Sequence, residues 1–137
     1  MLRYTVDLDN TISKYERGTF ESNLEHIGEP IEGAQEFVRR LSEHVGNDGK
    51  KARIIIFTRR MSLETLTPHE KFMVYNSIVN WLNDNGFIWH EIYDGQGKPD
   101  GTAFIDDKAV QCRPRENPNA FEEAERYIKN VILMEKR

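Results

Sequence analysis

Arg3-Tyr4-Thr5-Val6-Asp7-Leu8-Asp9-Asn10 is the stretch whose reading decides the fold. Tyrosine, threonine and valine favour extended backbone, and the Asp-Asn pair at the end interrupts it. A strand therefore runs straight into two carboxylates two residues apart. Arg53-Ile54-Ile55-Ile56-Phe57 repeats the plan, a short apolar run that ends on polar Thr58. Three consecutive isoleucines suit a buried strand in a parallel sheet. Thr102-Ala103-Phe104-Ile105 runs into Asp106 and Asp107, and Phe87-Ile88-Trp89 reads as one more strand.

Helical periodicity fills the intervals. After Gly33, the residues Ala34, Phe37, Val38, Leu41 and Val45 fall on one face, and Gly46-Asn47-Asp48-Gly49 turns the chain. Thr67-Pro68-His69-Glu70 starts a second helix: Thr67 caps, Pro68 fits the first turn and Glu70 completes a capping box. Phe72, Tyr75, Val79 and Leu82 form its apolar stripe, Ile78 widens it, and Gly86 stops it. Asn117-Pro118 opens a last helix with Phe121, Ala124 and Ile128 on one side. Alternation of this kind predicts an α/β fold, three-layered and Rossmann-like, with a central mostly parallel sheet flanked by helices. Residues 13–30 are polar and mixed, with Gly18, Gly28 and Pro30, and read as a loop or small flap. The chain shows no internal repeat or low-complexity segment, so one domain over residues 1–137 is expected.

The bulk numbers narrow the function. A chain of 137 residues suits one domain, and 38% apolar with 31% charged residues reads as globular and soluble. A formal charge of −4 argues against nonspecific nucleic-acid binding as the main role. The single cysteine, Cys112, cannot form an intrachain disulfide and suits a reducing compartment. Met1-Leu2-Arg3-Tyr4-Thr5-Val6 reaches charge too soon for a signal peptide. No stretch approaches the roughly 20 apolar residues of a membrane helix. A cytoplasmic protein without a membrane partner is the expectation.

Ligands of open α/β sheets bind beyond the carboxyl ends of the strands. That rule gathers Asp7, Asp9, Thr58, Asp106 and Asp107 on one edge. Four carboxylates in one place repel, and a divalent cation relieves them. Oxygen donors without clustered histidine or cysteine favour Mg2+ over zinc. A carboxylate can attack phosphorus to form an aspartyl-phosphate. A second, two residues on, can protonate the leaving oxygen and later activate water. Asp7 and Asp9 share a face if the strand stays extended.

With these residues in view, Val6-Asp7-Leu8-Asp9-Asn10-Thr11 resembles the first motif of the haloacid dehalogenase (HAD) superfamily of phosphohydrolases. Ile54-Ile55-Ile56-Phe57-Thr58 resembles the second, Lys98 in Gly97-Lys98-Pro99 is placed like the third, and Phe104-Ile105-Asp106-Asp107 resembles the fourth. The resemblance implies that Asp7 is the nucleophile and Asp9 the general acid/base, which also lends its backbone carbonyl to magnesium. It implies that Thr58 hydrogen-bonds the phosphoryl group and that Lys98 neutralises it and Asp7. Asp7, Asp9, Asp106 and Asp107 would form the metal set, with either Asp106 or Asp107 as the direct ligand. The spacing leaves no room for a large cap, so the chain is similar to small capless members from bacteria and phages.

Arg59 and Arg60 stand at the mouth of this site, as candidates for a phosphate or a second substrate anion, or as a solvated loop. Arg113 and Arg115 read as surface residues. His26, His44, His69 and His90 lack metal-ligand spacing, and Trp81 and Trp89 read as packing residues. Tyr15 and Phe20 lie in the flap, where they can cover a substrate. The expected function is a magnesium-dependent phosphatase acting on a phosphorylated small molecule through an aspartyl-phosphate on Asp7. A nucleotidase or nucleic-acid end phosphatase, and a HAD-shaped binding or regulatory module with little turnover, are the alternatives. A homo-oligomer whose partner chain closes the open site is compatible with all three.

Overall fold

The isoleucine run is the interior of the sheet. In the computed structural model, which describes residues 1–16, 18–95 and 97–135, β1 (Arg3–Asp7) and β2 (Arg53–Phe57) pair in parallel. β3 (Glu91–Ile92) extends the sheet beyond β2, and β4 (Ala103–Ile105) extends it beyond β1. The order is β3-β2-β1-β4, with every pairing parallel. The chain divides into two compact units, Met1–Asp106 and Asp107–Arg137. The whole sheet belongs to the first.

Register decides what each face carries. Thr5 lies opposite Ile55 and Phe104, and Val6 opposite Ile56 and Ile105. Side chains alternate across a strand, so Val6, Ile54, Ile56 and Ile92 share one face. There they join Ala34 and Val38 of α2 (Ala34–Ser42) and Val74, Ile78 and Leu82 of α3 (Pro68–Asp84) in one buried cluster. Burying each such aliphatic side chain contributes about 1.5–3 kcal/mol, so this cluster is the main stabiliser of the unit. Thr5 and Ile55 are buried too, but they point to the opposite face and lie outside the cluster. The α/β parallel sheet is as expected; within this unit the two long helices both cover a single face.

Three local readings need correction. The buried line of α3 runs Val74–Ile78–Leu82, whereas Phe72 is 63% exposed. Apolar residues occur nearly all round this helix (Phe72, Met73, Val74, Tyr75, Ile78, Val79, Trp81), so periodicity alone does not single out one line. In α2, Ala34 and Val38 are buried while Phe37 is exposed, and Val45, expected on the same face, lies beyond the helix and is exposed too. Third, Phe87-Ile88-Trp89 is not a strand. Gly86 adopts φ 73° and its N–H donates to the Asn83 carbonyl at 3.2 Å, while the Phe87 N–H donates to Leu82 at 2.9 Å. That pair of bonds is a Schellman stop, and the Phe87 ring completes it by stacking on Trp81, 5.1 Å between centroids. Phe87 therefore ends a helix, and pairing begins only at Glu91. The capping box at the other end of α3 is present: the Glu70 N–H donates to the Thr67 hydroxyl at 3.1 Å, and the Thr67 N–H to the Glu70 carboxylate at 3.0 Å.

His90 lengthens the β2–β3 pairing by a side chain. Its backbone N–H donates to the Ile54 carbonyl at 2.9 Å, and the Ile54 N–H donates to its Nδ1 at 2.8 Å. Nδ1 accepts only when unprotonated. Desolvation, with the positive charge of Arg53 adding to it, pushes the imidazole below its ordinary value of 6.5. The unfolded chain therefore takes up the proton more readily. The contribution to stability is complete above about pH 6.5 and is lost as pH falls below it. The thermal midpoint of the wild type should fall more between pH 7 and pH 5 than that of His90→Ala. The difference is small, because the ring is exposed and solvent screens it. Parallel curves in a pH series would contradict this.

The stretch over residues 13–30 is tied down; position 17 lies outside the described residues. It holds a short helix, α1 (Thr19–Ser22). Its base is closed by the Lys14 N–H donating to Glu29 at 2.8 Å and by the Trp81 indole of α3 donating to the Gly28 carbonyl at 2.7 Å. Gly28 has φ 100°, and a Cβ there would stand 2.3 Å from the Lys14 carbonyl oxygen. Gly28→Ala is expected to cost about 2–3 kcal/mol from positive-φ strain plus the clash. It should also open residues 13–30 to limited proteolysis. An unchanged melting curve and digestion pattern would count against this account of the flap.

The second unit contains α4 (Ala120–Tyr127), a π-helical turn over Ile128–Ile132 and α5 (Leu133–Glu135). Of the apolar side expected here, Phe121 is 71% exposed and Ile128 is also exposed. No helix among the described residues is long and apolar enough to cross a membrane.

Candidate active site

β1 ends on Asp7, and β4 ends on Ile105, which lies opposite Val6; the next residue on each strand is therefore Asp7 and Asp106. Adjacent strands run about 4.8 Å apart, so the two carboxylates are neighbours by construction. Each offers an oxygen within 4.8 Å of the other. Asp107 follows Asp106 directly and is exposed, as the first residue of the second unit.

Asp7 is held in place from behind. Its Oδ1 accepts the Leu8 N–H at 2.9 Å, and its Oδ2 faces the Thr11 hydroxyl at 3.5 Å. The loop beyond it is wound tightly around the Leu8 carbonyl, which accepts the N–H groups of Thr11, Ile12 and Ser13 and the Ser13 hydroxyl. Asn10 takes up the left-handed conformation that this turn requires, with φ 62°, and asparagine tolerates it better than most residues. The turn carries Asp9 out of the strand, so Asp7 and Asp9 do not simply share a face.

The structure gives Asp9 a partner that sequence reasoning missed. Arg60 forms a two-pronged pair with it: Nε donates to Oδ2 at 3.0 Å and Nη2 to Oδ1 at 2.8 Å. Arg60 also donates from Nη1 to the His26 carbonyl at 2.6 Å. Its guanidinium carbon lies 4.6 Å from the Phe20 ring centroid and 5.6 Å from that of Tyr15. The side chain is 3% exposed. Arg60 is therefore neither a solvated loop residue nor an open phosphate contact. Arg59, its neighbour, is exposed. No single-sequence signal distinguishes Arg59 from Arg60, because the pairing joins residues 51 positions apart through the sheet register.

Thr58, one residue past Phe57, which lies opposite Asp7, is 2% exposed and caps the 3-10 turn Arg59–Ser62 by accepting the Arg60 N–H at 3.2 Å. Its hydroxyl hydrogen remains a donor. Lys98 is directed elsewhere. Its Nζ sits 4.1 Å from the centroid of Phe104, whose register partner is Thr5, two residues short of Asp7. It lines a groove with Arg3, Glu91 and Tyr93. At about 3.3 Å per residue, that places the ring some 6–7 Å back along the sheet from Asp7. The structure thus brings Asp7 and Asp106 together, sets Asp9 in the Arg60 fork and holds Lys98 over an aromatic ring.

The donor set suits a hard cation. Two ligands of one magnesium ion lie about 3–4 Å apart at metal–oxygen distances of about 2.1 Å. Two carboxylate oxygens within 4.8 Å reach that with a small side-chain adjustment. Comparison of the chain with known protein families, with curated proteins and with solved structures found no match.

Proposed function

We propose that this chain is a magnesium-dependent phosphatase of the HAD type, cytoplasmic, that hydrolyses a phosphate monoester of a small molecule through an aspartyl-phosphate on Asp7. The observation that carries it is the meeting of Asp7 and Asp106 at the carboxyl edge of a parallel sheet, each with an oxygen within 4.8 Å of the other. Asp7, the Asp9 carbonyl and Asp106 would hold Mg2+. When bound, the ion offsets the negative charge gathered on the phosphoryl oxygens and on the carboxylates.

The chain's own residues then account for each bond. An oxygen of Asp7 attacks phosphorus as the ester P–O bond breaks. The leaving oxygen takes a proton from Asp9 and departs as an alcohol. Water attacks the phosphorus of the aspartyl-phosphate and gives its proton back to Asp9, and inorganic phosphate leaves with Asp7 regenerated. Thr58 keeps one O–H to donate to a phosphoryl oxygen. Lys98 serves the phosphoryl charge by leaving the Phe104 ring, a movement its flexible four-carbon stem allows.

One observation favours a second reading, a binding module with little turnover. In the Arg60 fork, both oxygens of Asp9 already accept N–H bonds from a buried guanidinium, an arrangement that also suits a purely structural pair. Phosphate release from an aryl phosphate separates the two. The phosphatase predicts turnover that chelation of divalent ions abolishes and added magnesium restores. Metal-independent turnover, or none across a panel of phosphate esters, would reject it.

A further inference from the structure

Arg60 commits a whole guanidinium to one task. Two N–H groups grip both oxygens of Asp9, a third holds the His26 carbonyl, and the flat face rests against Phe20. His26 and Phe20 belong to the flap, and Arg60 is 3% exposed, so the guanidinium itself is shielded from solvent. We propose that Arg60 is a positioning residue: it fixes the plane of the Asp9 carboxylate and couples it to the flap, so that proton delivery to the leaving oxygen depends on flap order. The inference rests on the phosphatase reading above.

The geometry supports it in three ways. An ionised carboxylate has about four lone-pair sites, and the fork occupies one on each oxygen. The other edge, on a side chain 23% exposed, is where a proton can be carried and handed over. Asp9 also lies beyond the end of β1, inside the tight turn closed on the Leu8 carbonyl, so the strand does not orient it; the fork does. The third N–H and the aromatic contacts bind that fork to residues 20 and 26, which carry no chemistry of their own. A disturbance at Phe20 is thereby transmitted to Asp9 through a single buried side chain. Lysine cannot replace this arrangement, since one ammonium cannot hold two oxygens and a carbonyl in a plane.

The test separates positioning from folding. The value of kcat/KM reports only the steps up to the first irreversible one, which is transfer to Asp7 with release of the alcohol. An alkyl phosphate needs a proton on its leaving oxygen; a dinitrophenyl phosphate does not. General acid catalysis is worth about 100- to 10,000-fold, so Arg60→Lys should lower kcat/KM about 100-fold for the alkyl ester and no more than about 5-fold for the activated one. Phe20→Leu, which leaves both partners of the fork in place, should show the same split at about 10-fold for the alkyl ester. Circular dichroism confirms that each variant is folded; if Arg60→Lys is not, Phe20→Leu carries the test. Equal losses on both esters, or a gain on the alkyl ester, would overturn the positioning role and leave the phosphatase reading standing. Wild-type protein that turns over neither ester with magnesium would overturn both.

Discussion

Asp7→Asn should abolish phosphate release, lowering kcat by about 10,000-fold or more, as expected when an enzyme loses its nucleophile. A carboxamide has the shape of the carboxylate but does not attack phosphorus to form a stable acyl phosphate. The substitution is unusually clean here. Oδ1 of the new side chain still accepts the Leu8 N–H, so the turn around the Leu8 carbonyl is undisturbed. One negative charge disappears beside Asp106, which removes a repulsion that the metal-free protein carries. The variant should therefore melt no lower than the wild type without metal, and should gain less from added magnesium. Loss of activity with undiminished stability separates a chemical role from a structural one. Retained activity would refute the assignment of Asp7.

Arg60→Leu is the substitution with the largest expected cost to stability, about 3–5 kcal/mol, because it leaves the Asp9 carboxylate without its partner in a mostly enclosed place. The His26 carbonyl loses its donor as well. For a domain of this size that corresponds to a fall of roughly 10–15 °C in thermal midpoint. Replacing both partners is a different matter, since a paired charge bears its desolvation cost in the folded state. The double variant Asp9→Leu/Arg60→Leu should therefore be more stable than Arg60→Leu alone, with a coupling of a few kcal/mol in a double-mutant cycle. Additive losses would show that the fork contributes no pairwise energy, and that Arg60 stabilises only through its contacts with Phe20 and His26.

The fold was legible where local signals agreed. β-branched residues ending on polar ones marked β1, β2 and β4, and Thr67-Pro68-His69-Glu70 marked the start of α3 to the residue. Legibility failed where two physical codes use the same letters. Phe87-Ile88-Trp89 has strand composition, but Phe87 is spent on stopping a helix and stacking on Trp81. The apolar residues of α3 do not point to one side, so only packing selects Val74, Ile78 and Leu82. At the site, the meeting of Asp7 and Asp106 follows from strand ends and parallel pairing, both readable from sequence. The Asp9–Arg60 fork does not. It depends on a turn that swings Asp9 out of the strand and on a 3-10 turn that brings Arg60, rather than Arg59, inward. Lys98 shows the same limit, since its loop carries no periodicity to fix where the ammonium points.

Acid quenching during turnover of a phosphate ester labelled in its phosphoryl group, followed by peptide mapping, tests the central claim most directly. The account predicts a labelled peptide containing Asp7, with label that hydroxylamine removes and that Asp7→Asn never acquires. Turnover at full rate with no covalent label on Asp7, or label on a different residue, would contradict it.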